Sequence, residues 1–128
     1  MIYLDTSVAL AQILSEDRIP SDALWHETLV SSRLLEYETW NRLHARRAAT
    51  SHGNIARAVL AEIAFLELSP SVLSRALEPF PVPIRTLDAL HLASAEYLQR
   101  QGQRLQIASY DERLLNCARR LGIEVWSL

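Results

Sequence analysis

The stretch Met1-Ile2-Tyr3-Leu4-Asp5-Thr6-Ser7 decides how the rest of the chain is arranged. Its apolar start, residues 1–4, predicts a short buried β-strand that ends abruptly at an aspartate and two hydroxyl residues. From Ser7 to Leu14 the apolar side chains recur at helical spacing, so a helix follows the strand at once. In an open parallel sheet, ligands bind beyond the carboxyl ends of the strands, where helix N-termini also point. Asp5 is therefore either a helix cap or the first residue of an active site.

The same order, a short strand and then a helix, repeats along the chain. Further strands are expected at Leu29–Ser31, Phe65–Ser69, Leu105–Ser109 and Ile123–Trp126. Further helices are expected at 20–28, 32–47, 55–66, 69–77, 86–98 and 111–121, with a turn at 51–54 and an extended proline-rich connection at 79–83. This alternation indicates an α/β/α sandwich with a mainly parallel central sheet covered by helices. Helices 32–47 and 55–66 should form an antiparallel helical hairpin.

Length and composition limit the class of protein. The 128 residues, 49% of them hydrophobic, are enough for one domain with a real core. No apolar run approaches the roughly 18 residues of a membrane span, and the start does not resemble a secretory signal. We therefore expect a single domain over residues 1–128 in a cytoplasmic protein without membrane association. All thirteen basic residues are arginine, which excludes mechanisms that need a lysine, such as a P-loop or a Schiff base.

Several carboxylates are predicted to meet at one edge of the sheet. Asp5 and Asp111 each follow a predicted strand, and Asp88 falls in the first turn of a helix. Glu38 lies near the second turn of another helix, with Glu36 two residues before it. Taken singly, each acid is explained by helix capping, worth ~1 kcal/mol, or by the helix macrodipole, worth ~0.3–1 kcal/mol. Their predicted convergence is what suggests a site.

Clustered carboxylates need a cation among them. Two carboxylates ~5 Å apart at an effective dielectric of ~20 repel by roughly 3 kcal/mol, so four would protonate or destabilise the fold. A site built from oxygen ligands suits Mg²⁺ or Mn²⁺ better than zinc, and such an ion can activate water and neutralise phosphate charge. Ser7 and Ser109 supply hydroxyls that could orient a carboxylate or a water, and helix capping explains them equally well.

Four short motifs follow one another along the chain: Leu4–Ser7, Ser32–Leu34 leading to Glu38, Leu87–Ala93, and Ser109–Asp111. In this order and at these intervals they resemble the PIN-domain ribonucleases, and within them the VapC-type toxins of toxin–antitoxin pairs. The resemblance covers essentially the whole chain and implies a PIN-like fold and a divalent-metal-dependent ribonuclease. It implies that the catalytic and metal-binding quartet is Asp5, Glu38, Asp88 and Asp111, binding Mg²⁺ or Mn²⁺. It favours Glu38 over Glu36, because Thr39–Leu43 resembles the segment that follows the family's glutamate.

The resemblance also implies partners. An RNA substrate, a VapB-type antitoxin that blocks the cleft and a homodimer are expected on this basis. The helix pair 34–47 and 55–66, with Trp40, offers apolar surface for either protein contact, although core packing explains the same residues equally well. Ser109 matches the family's small hydroxyl residue two positions before the last acid.

The remaining candidates have simpler explanations. His91, three residues after Asp88, is expected to be a structural histidine buried against the sheet rather than a ligand. The arginines that could contact RNA phosphates are Arg42, Arg46, Arg47 and Arg113. Of these, Arg113 is the possible RNA contact to test first, because it stands two residues after Asp111.

Two other enzyme or signalling classes fit poorly. A receiver-type signalling domain needs paired acids after the first strand and a late lysine, and the chain has neither. A phosphatase with an aspartyl nucleophile needs a second aspartate two residues after Asp5, where Ser7 stands. The alternative that remains is a catalytically inactive PIN-like protein acting as a binding or regulatory module.

Overall fold

A computed structural model describes every residue from Met1 to Leu128. Five short strands are separated along the chain by one or two of six α-helices, with one 3-10 helix, Asp22–His26, between the first helix and the second strand. In chain order the elements are β1 Ile2–Leu4, α1 Thr6–Leu14, β2 Leu29–Ser32, α2 Leu34–Ala45, α3 Ala49–Ala61, β3 Ile63–Leu66, α4 Pro70–Ala76, α5 Thr86–Arg100, β4 Gln106–Ala108, α6 Glu112–Arg120 and β5 Glu124–Val125. No helix is long and apolar enough to cross a membrane.

The five strands form one sheet in the order β3-β2-β1-β4-β5, and every neighbouring pair is parallel. The first strand of the chain therefore lies at the centre, and the chain passes to one side of it before returning to the other. At such a central position the order of strands reverses, which is where open α/β sheets bind ligands. The predicted α/β architecture is confirmed.

Alternating side chains of β1 separate two apolar cores. Ile2 and Leu4 pack into the cluster formed with α1, α2 and α3, while Tyr3 packs on the opposite face with α5 and α6. Successive side chains of a strand point to opposite faces, so helices on both faces can be packed from one three-residue strand. Tyr3 thus faces α5, which also carries Asp88 and His91.

The predicted turn at Ser51–Asn54 is wrong, because these residues lie inside α3. The chain reverses earlier, between Ala45 and Ala49, where Arg47 adopts a left-handed conformation with φ 53°. A run of Ser, His, Gly and Asn is typical of turns, but the apolar face of α3 packs into the core and overrides this local preference. The antiparallel hairpin is thus α2 followed by α3.

The predicted helix over 55–66 also runs too far. Ile63–Leu66 forms β3, which pairs in parallel with Leu29–Ser32, whereas the strand was expected at Phe65–Ser69. A short apolar run is compatible with both helical and strand periods, and pairing with β2 decides between them. The helix expected over 20–28 is only the short 3-10 helix.

Candidate active site

The four acids of the predicted quartet lie together at the carboxyl edge of the sheet. Asp5 follows β1, and Asp111 is the N-cap of α6 just after β4. Asp88 lies in the first turn of α5, and Glu38 projects from α2. All four line one cavity of about 610 Å³ at this edge. Residues that are distant in sequence are therefore brought to one surface depression.

Asp5 is buried, with 6% of its surface exposed, and two serine hydroxyls bind one of its carboxylate oxygens. Ser7 donates to Asp5 Oδ2 at 2.6 Å and Ser109 donates to the same oxygen at 2.7 Å. The serines also accept backbone hydrogen bonds: Tyr110 N–H donates to Ser7 Oγ and Asp111 N–H to Ser109 Oγ. Both predicted supporting hydroxyls thus contact a carboxylate, and they connect Asp5 to the loop that carries Asp111.

Glu38 is bound in a similar way from the other side of the cavity. Its Oε1 accepts the hydroxyl of Thr6 at 2.8 Å and lies 2.5 Å from Nε2 of His91. Its neighbour Glu36 forms an ion pair with Arg33 at 3.4 Å and does not line the cavity. The structure therefore places Glu38, rather than Glu36, beside the other acids.

Asp88 is the least satisfied acid of the four. Its side chain is 15% exposed, and its Oδ2 is buried without a hydrogen-bond partner. Burial, and then the negative charges of Asp111 and Asp5, raise the pKa of Asp88 above its usual value, while Arg85 and His91 oppose this shift. The orphaned oxygen and the raised pKa both indicate a position at which a cation would be stabilised.

Asp111 caps a helix and also lines the cavity. Its Oδ1 accepts the backbone N–H groups of Arg113 at 2.9 Å and Leu114 at 3.3 Å, which caps α6. Its Oδ2 lies 3.5 Å from the guanidinium of Arg85 and takes no hydrogen bond. Capping therefore uses one oxygen and leaves the other available to the cavity.

One arrangement is common to Asp5, Glu38 and Asp111. In each, one carboxylate oxygen is bound by donors of the protein, and no hydrogen bond of the protein reaches the other. Donors of this kind orient metal-binding carboxylates, and oxygen ligands of this type fit Mg²⁺ or Mn²⁺. The orphaned Oδ2 of Asp88 fits the same interpretation. However, no three His, Cys, Asp or Glu side chains are arranged so that they could hold a metal ion as they stand.

His91 is buried, as expected, but it also contacts the site. It is 1% exposed, its Nδ1 lies 2.8 Å from the hydroxyl of Tyr3, and its Nε2 contacts Glu38. Burial alone would lower the pKa of His91, but the hydrogen bond that it donates to Glu38 and the charges of Asp5, Glu38 and Asp88 raise it overall. The sequence offered one signal for this contact, since His91 is one helical turn from Asp88.

Arginines line the cavity beside the acids, though not all of those expected. Arg42 of α2 and Arg46, the residue that follows α2, line it, while Arg47 and Arg113 do not. Arg18 and Arg85 line it too, and neither was nominated from the sequence. Arg113 contributes through its backbone N–H, which binds Asp111.

A family model of the PIN domain matches residues 2–120. The chain belongs to the PIN-domain family. This PIN domain is 35% identical to Ribonuclease VapC46 of Mycobacterium tuberculosis (strain ATCC 25618 / H37Rv) over 97% of the chain and 95% of that relative. It is 31% identical to Ribonuclease VapC47 of Mycobacterium tuberculosis (strain CDC 1551 / Oshkosh) over 95% of the chain and 93% of that relative. The resemblance inferred from the four motifs is confirmed, and the relationship to VapC ribonucleases extends over nearly the full length.

Proposed function

We propose that this PIN domain is an endoribonuclease that depends on Mg²⁺ or Mn²⁺ and acts as the toxin of a type II toxin–antitoxin pair. The observation that carries the proposal is the convergence of four carboxylates in one cavity, three of them oriented by donors and one with an orphaned oxygen. The kinship with VapC ribonucleases supports the same activity. Carboxylates gathered in one cavity repel one another, and a bound divalent cation would relieve that repulsion.

In this proposal the quartet Asp5, Glu38, Asp88 and Asp111 holds the ion. A divalent cation bound there would supply an activated water and neutralise negative charge on the phosphate. The protein's own part is to fix the direction of each carboxylate. Ser7 and Ser109 do this for Asp5, and the backbone at the start of α6 does it for Asp111.

The arginines supply the contacts that an RNA backbone requires. Arg18, Arg42, Arg46 and Arg85 line the same cavity as the acids, so phosphates next to the scissile bond would meet guanidinium groups. Arg113 lies outside the cavity lining and remains a candidate for a phosphate farther along the strand. We expect RNA binding to weaken as the salt concentration rises. We also expect it to weaken when Arg42 or Arg46 is substituted.

The direct experiment is cleavage of a mixed single-stranded RNA by the purified protein. We expect cleavage that stops in chelator and returns with Mg²⁺ or Mn²⁺, and that is lost in Asp88→Asn. Asp22→Asn is the matched control, since Asp22 is an exposed aspartate in the 3-10 helix outside the cavity. Cleavage that survives chelation would contradict the metal dependence. A wild-type protein that neither cleaves RNA nor binds Mn²⁺ would favour the inactive binding module instead.

The toxin role and the partners rest on the kinship with VapC proteins. We propose that a VapB-type antitoxin covers the cavity and that two copies of the chain form a homodimer. The α2–α3 hairpin displays Tyr37, 68% exposed, and Ile55, 48% exposed, which suit a protein contact. Growth arrest on expression of the chain alone, relieved by a small protein encoded next to it, would support this assignment. Light scattering of the purified chain tests the dimer.

A further inference from the structure

A chain of hydrogen bonds leads from the interior of the sheet to the acid cavity. The backbone N–H of Ser32 donates to the hydroxyl oxygen of Tyr3 at 3.1 Å, and this hydroxyl lies 2.8 Å from Nδ1 of His91. Nε2 of His91 then contacts Oε1 of Glu38 at 2.5 Å. Tyr3 and His91 are 0% and 1% exposed, so solvent cannot replace the contact between them.

The carboxylate at the end of this chain of hydrogen bonds decides which nitrogen of His91 carries hydrogen. Because the Tyr3 oxygen accepts from Ser32, its own O–H is available to donate to Nδ1 of His91. Because the carboxylate oxygen of Glu38 can only accept, its contact requires a hydrogen on Nε2, and in the neutral imidazole Nδ1 is then the acceptor for the Tyr3 O–H. The ring also meets the ring of Tyr3 edge-on, with an interplanar angle of 79°, so its orientation is determined by packing as well.

We propose that His91 is a positioning residue for Glu38 in the nuclease site, an inference that rests on the proposed metal-dependent function. A glutamate side chain has three rotatable bonds, and Glu38 stands on a helix at the rim of an open cavity. His91 and Thr6 both bind Oε1, so the carboxylate is held from behind and Oε2 is the oxygen left to reach a cation. Donors behind a metal-binding carboxylate of this kind typically change metal affinity about 10–100-fold.

A purely structural histidine would satisfy its polar atoms without affecting the site. In that case replacing His91 would lower the stability of the fold and leave the metal affinity of the folded protein unchanged. The two roles are therefore separated by measuring cation binding rather than activity alone.

The experiment is a titration of the purified protein with Mn²⁺, followed by electron paramagnetic resonance. We expect His91→Leu to weaken Mn²⁺ binding about 10–100-fold, and His91→Gln, which keeps an N–H donor at similar reach, to recover most of it. Leu92→Ala is the control, because Leu92 is a buried neighbour on α5 that belongs to the apolar core. It should destabilise the protein and leave Mn²⁺ affinity unchanged.

Tyr3→Phe provides a second variant that keeps the proposal testable if His91→Leu does not fold. Removing the hydroxyl leaves Nδ1 without its partner while Glu38 still accepts from Nε2, so we expect the Nδ1 resonance of His91 to shift and Nε2 to keep its hydrogen. We also expect Mn²⁺ binding to weaken by about threefold or more. The effect should be smaller than in His91→Leu, because Tyr3 contacts His91 and not Glu38 itself.

The outcomes separate this inference from the function on which it rests. If folded His91→Leu binds Mn²⁺ as tightly as the wild type, the positioning role alone is overturned. If His91→Leu does not fold, the same result in Tyr3→Phe would overturn it. A wild-type protein that binds no Mn²⁺ would overturn the proposed function and this inference together. Weaker Mn²⁺ binding in His91→Leu, with most of the affinity recovered in His91→Gln, would support both the positioning role and the proposed function.

Discussion

The acid cavity has two unlike halves, an inner pair made of Asp5 and Glu38 and an outer pair made of Asp88 and Asp111. Hydroxyl and imidazole donors bind one oxygen of each inner carboxylate: Ser7 and Ser109 for Asp5, Thr6 and His91 for Glu38. In the outer pair, Asp111 receives only backbone donors and Asp88 receives no hydrogen bond at Oδ2. The nearest cation to the outer pair is Arg85, which is 73% exposed.

The difference shows which part of the site the fold completes by itself. The inner pair is preorganised, because its donors are buried or half-buried side chains of α1, α5 and the loop after β4. The outer pair keeps unsatisfied charge, which a bound cation would neutralise. A cation bound there would not need to rearrange the inner carboxylates and would stabilise the outer ones.

The largest effect should come from removing an inner carboxylate. We expect Asp5→Asn to lower the rate of RNA cleavage by about 10²–10³-fold, as when one group that stabilises developing charge is lost. The measurement is single-turnover cleavage at saturating Mg²⁺ alongside Asp22→Asn. A loss of less than about tenfold would show that Asp5 does not contribute to the chemistry, and the distinction between the pairs would then be without functional meaning.

A smaller loss should follow when Asp5 is kept and only its donors are removed. We expect the double variant Ser7→Ala, Ser109→Ala to weaken Mn²⁺ binding about 10–100-fold, because Asp5 Oδ2 would lose both hydroxyls. Isothermal titration calorimetry of the metal-free protein measures the change. Ser71→Ala, an exposed serine on α4 away from the cavity, is the control. Unchanged Mn²⁺ affinity in the double variant would mean that the inner pair is not preorganised by its serines.

The positions of the acids could be predicted from the sequence, but the contacts that orient the inner pair could not. Asp5 and Asp111 follow from strand ends, because the carboxyl edge of a parallel sheet collects the residues after each strand. The contact between Tyr3, His91 and Glu38 could not be predicted in this way. It depends on which face of β1 Tyr3 occupies and on the rotation of α5 and α2, both of which are set by packing in the two cores.

The same limit explains the wrong turn at Ser51–Asn54 and the misplaced third strand. Local composition favours a turn at Gly53, but α3 continues through it because Ala56, Val59 and Leu60 are buried. Ile63–Leu66 becomes a strand through pairing with β2, an interaction between residues more than thirty positions apart. Positions set by the end of a strand or the start of a helix can therefore be predicted from the sequence. Side-chain contacts between separate elements cannot, because they depend on how those elements pack.

The unsatisfied charge of the outer pair should lower the unfolding free energy of the metal-free protein. Since the pKa of Asp88 is raised in the folded state, the folded protein binds more protons than the unfolded chain between the usual aspartate pKa and the raised one. The unfolding free energy attributable to Asp88 therefore falls as pH rises through that window. We expect Asp88→Asn to stabilise the metal-free protein at pH 7, and to do so less as the pH is lowered.

Urea unfolding in chelator measures this effect, with Asp5→Asn as the matched control. Asn at position 5 replaces a carboxylate that already accepts two hydroxyl hydrogen bonds, so we expect no stabilisation there. Equal stabilisation by both substitutions would show that the two pairs are electrostatically alike. Added Mg²⁺ should stabilise the wild type and not Asp88→Asn.

The smallest effect should come from Arg85, whose guanidinium lies 3.6 Å from Asp88 and 3.5 Å from Asp111. Exposed ion pairs contribute about 0.2–1 kcal/mol, so a cation entering the outer pair displaces a weak competitor. We expect Arg85→Gln to tighten Mn²⁺ binding about two- to fivefold at low salt and to lose this advantage at high salt, where the pair is screened.

The same variant should raise the RNA concentration required for half-maximal cleavage, because Arg85 lines the cavity where phosphates would bind. Opposite signs in metal and RNA affinity would identify Arg85 as a side chain that exchanges one anionic partner for another. Weaker Mn²⁺ binding would instead mean that Arg85 holds the outer carboxylates in place.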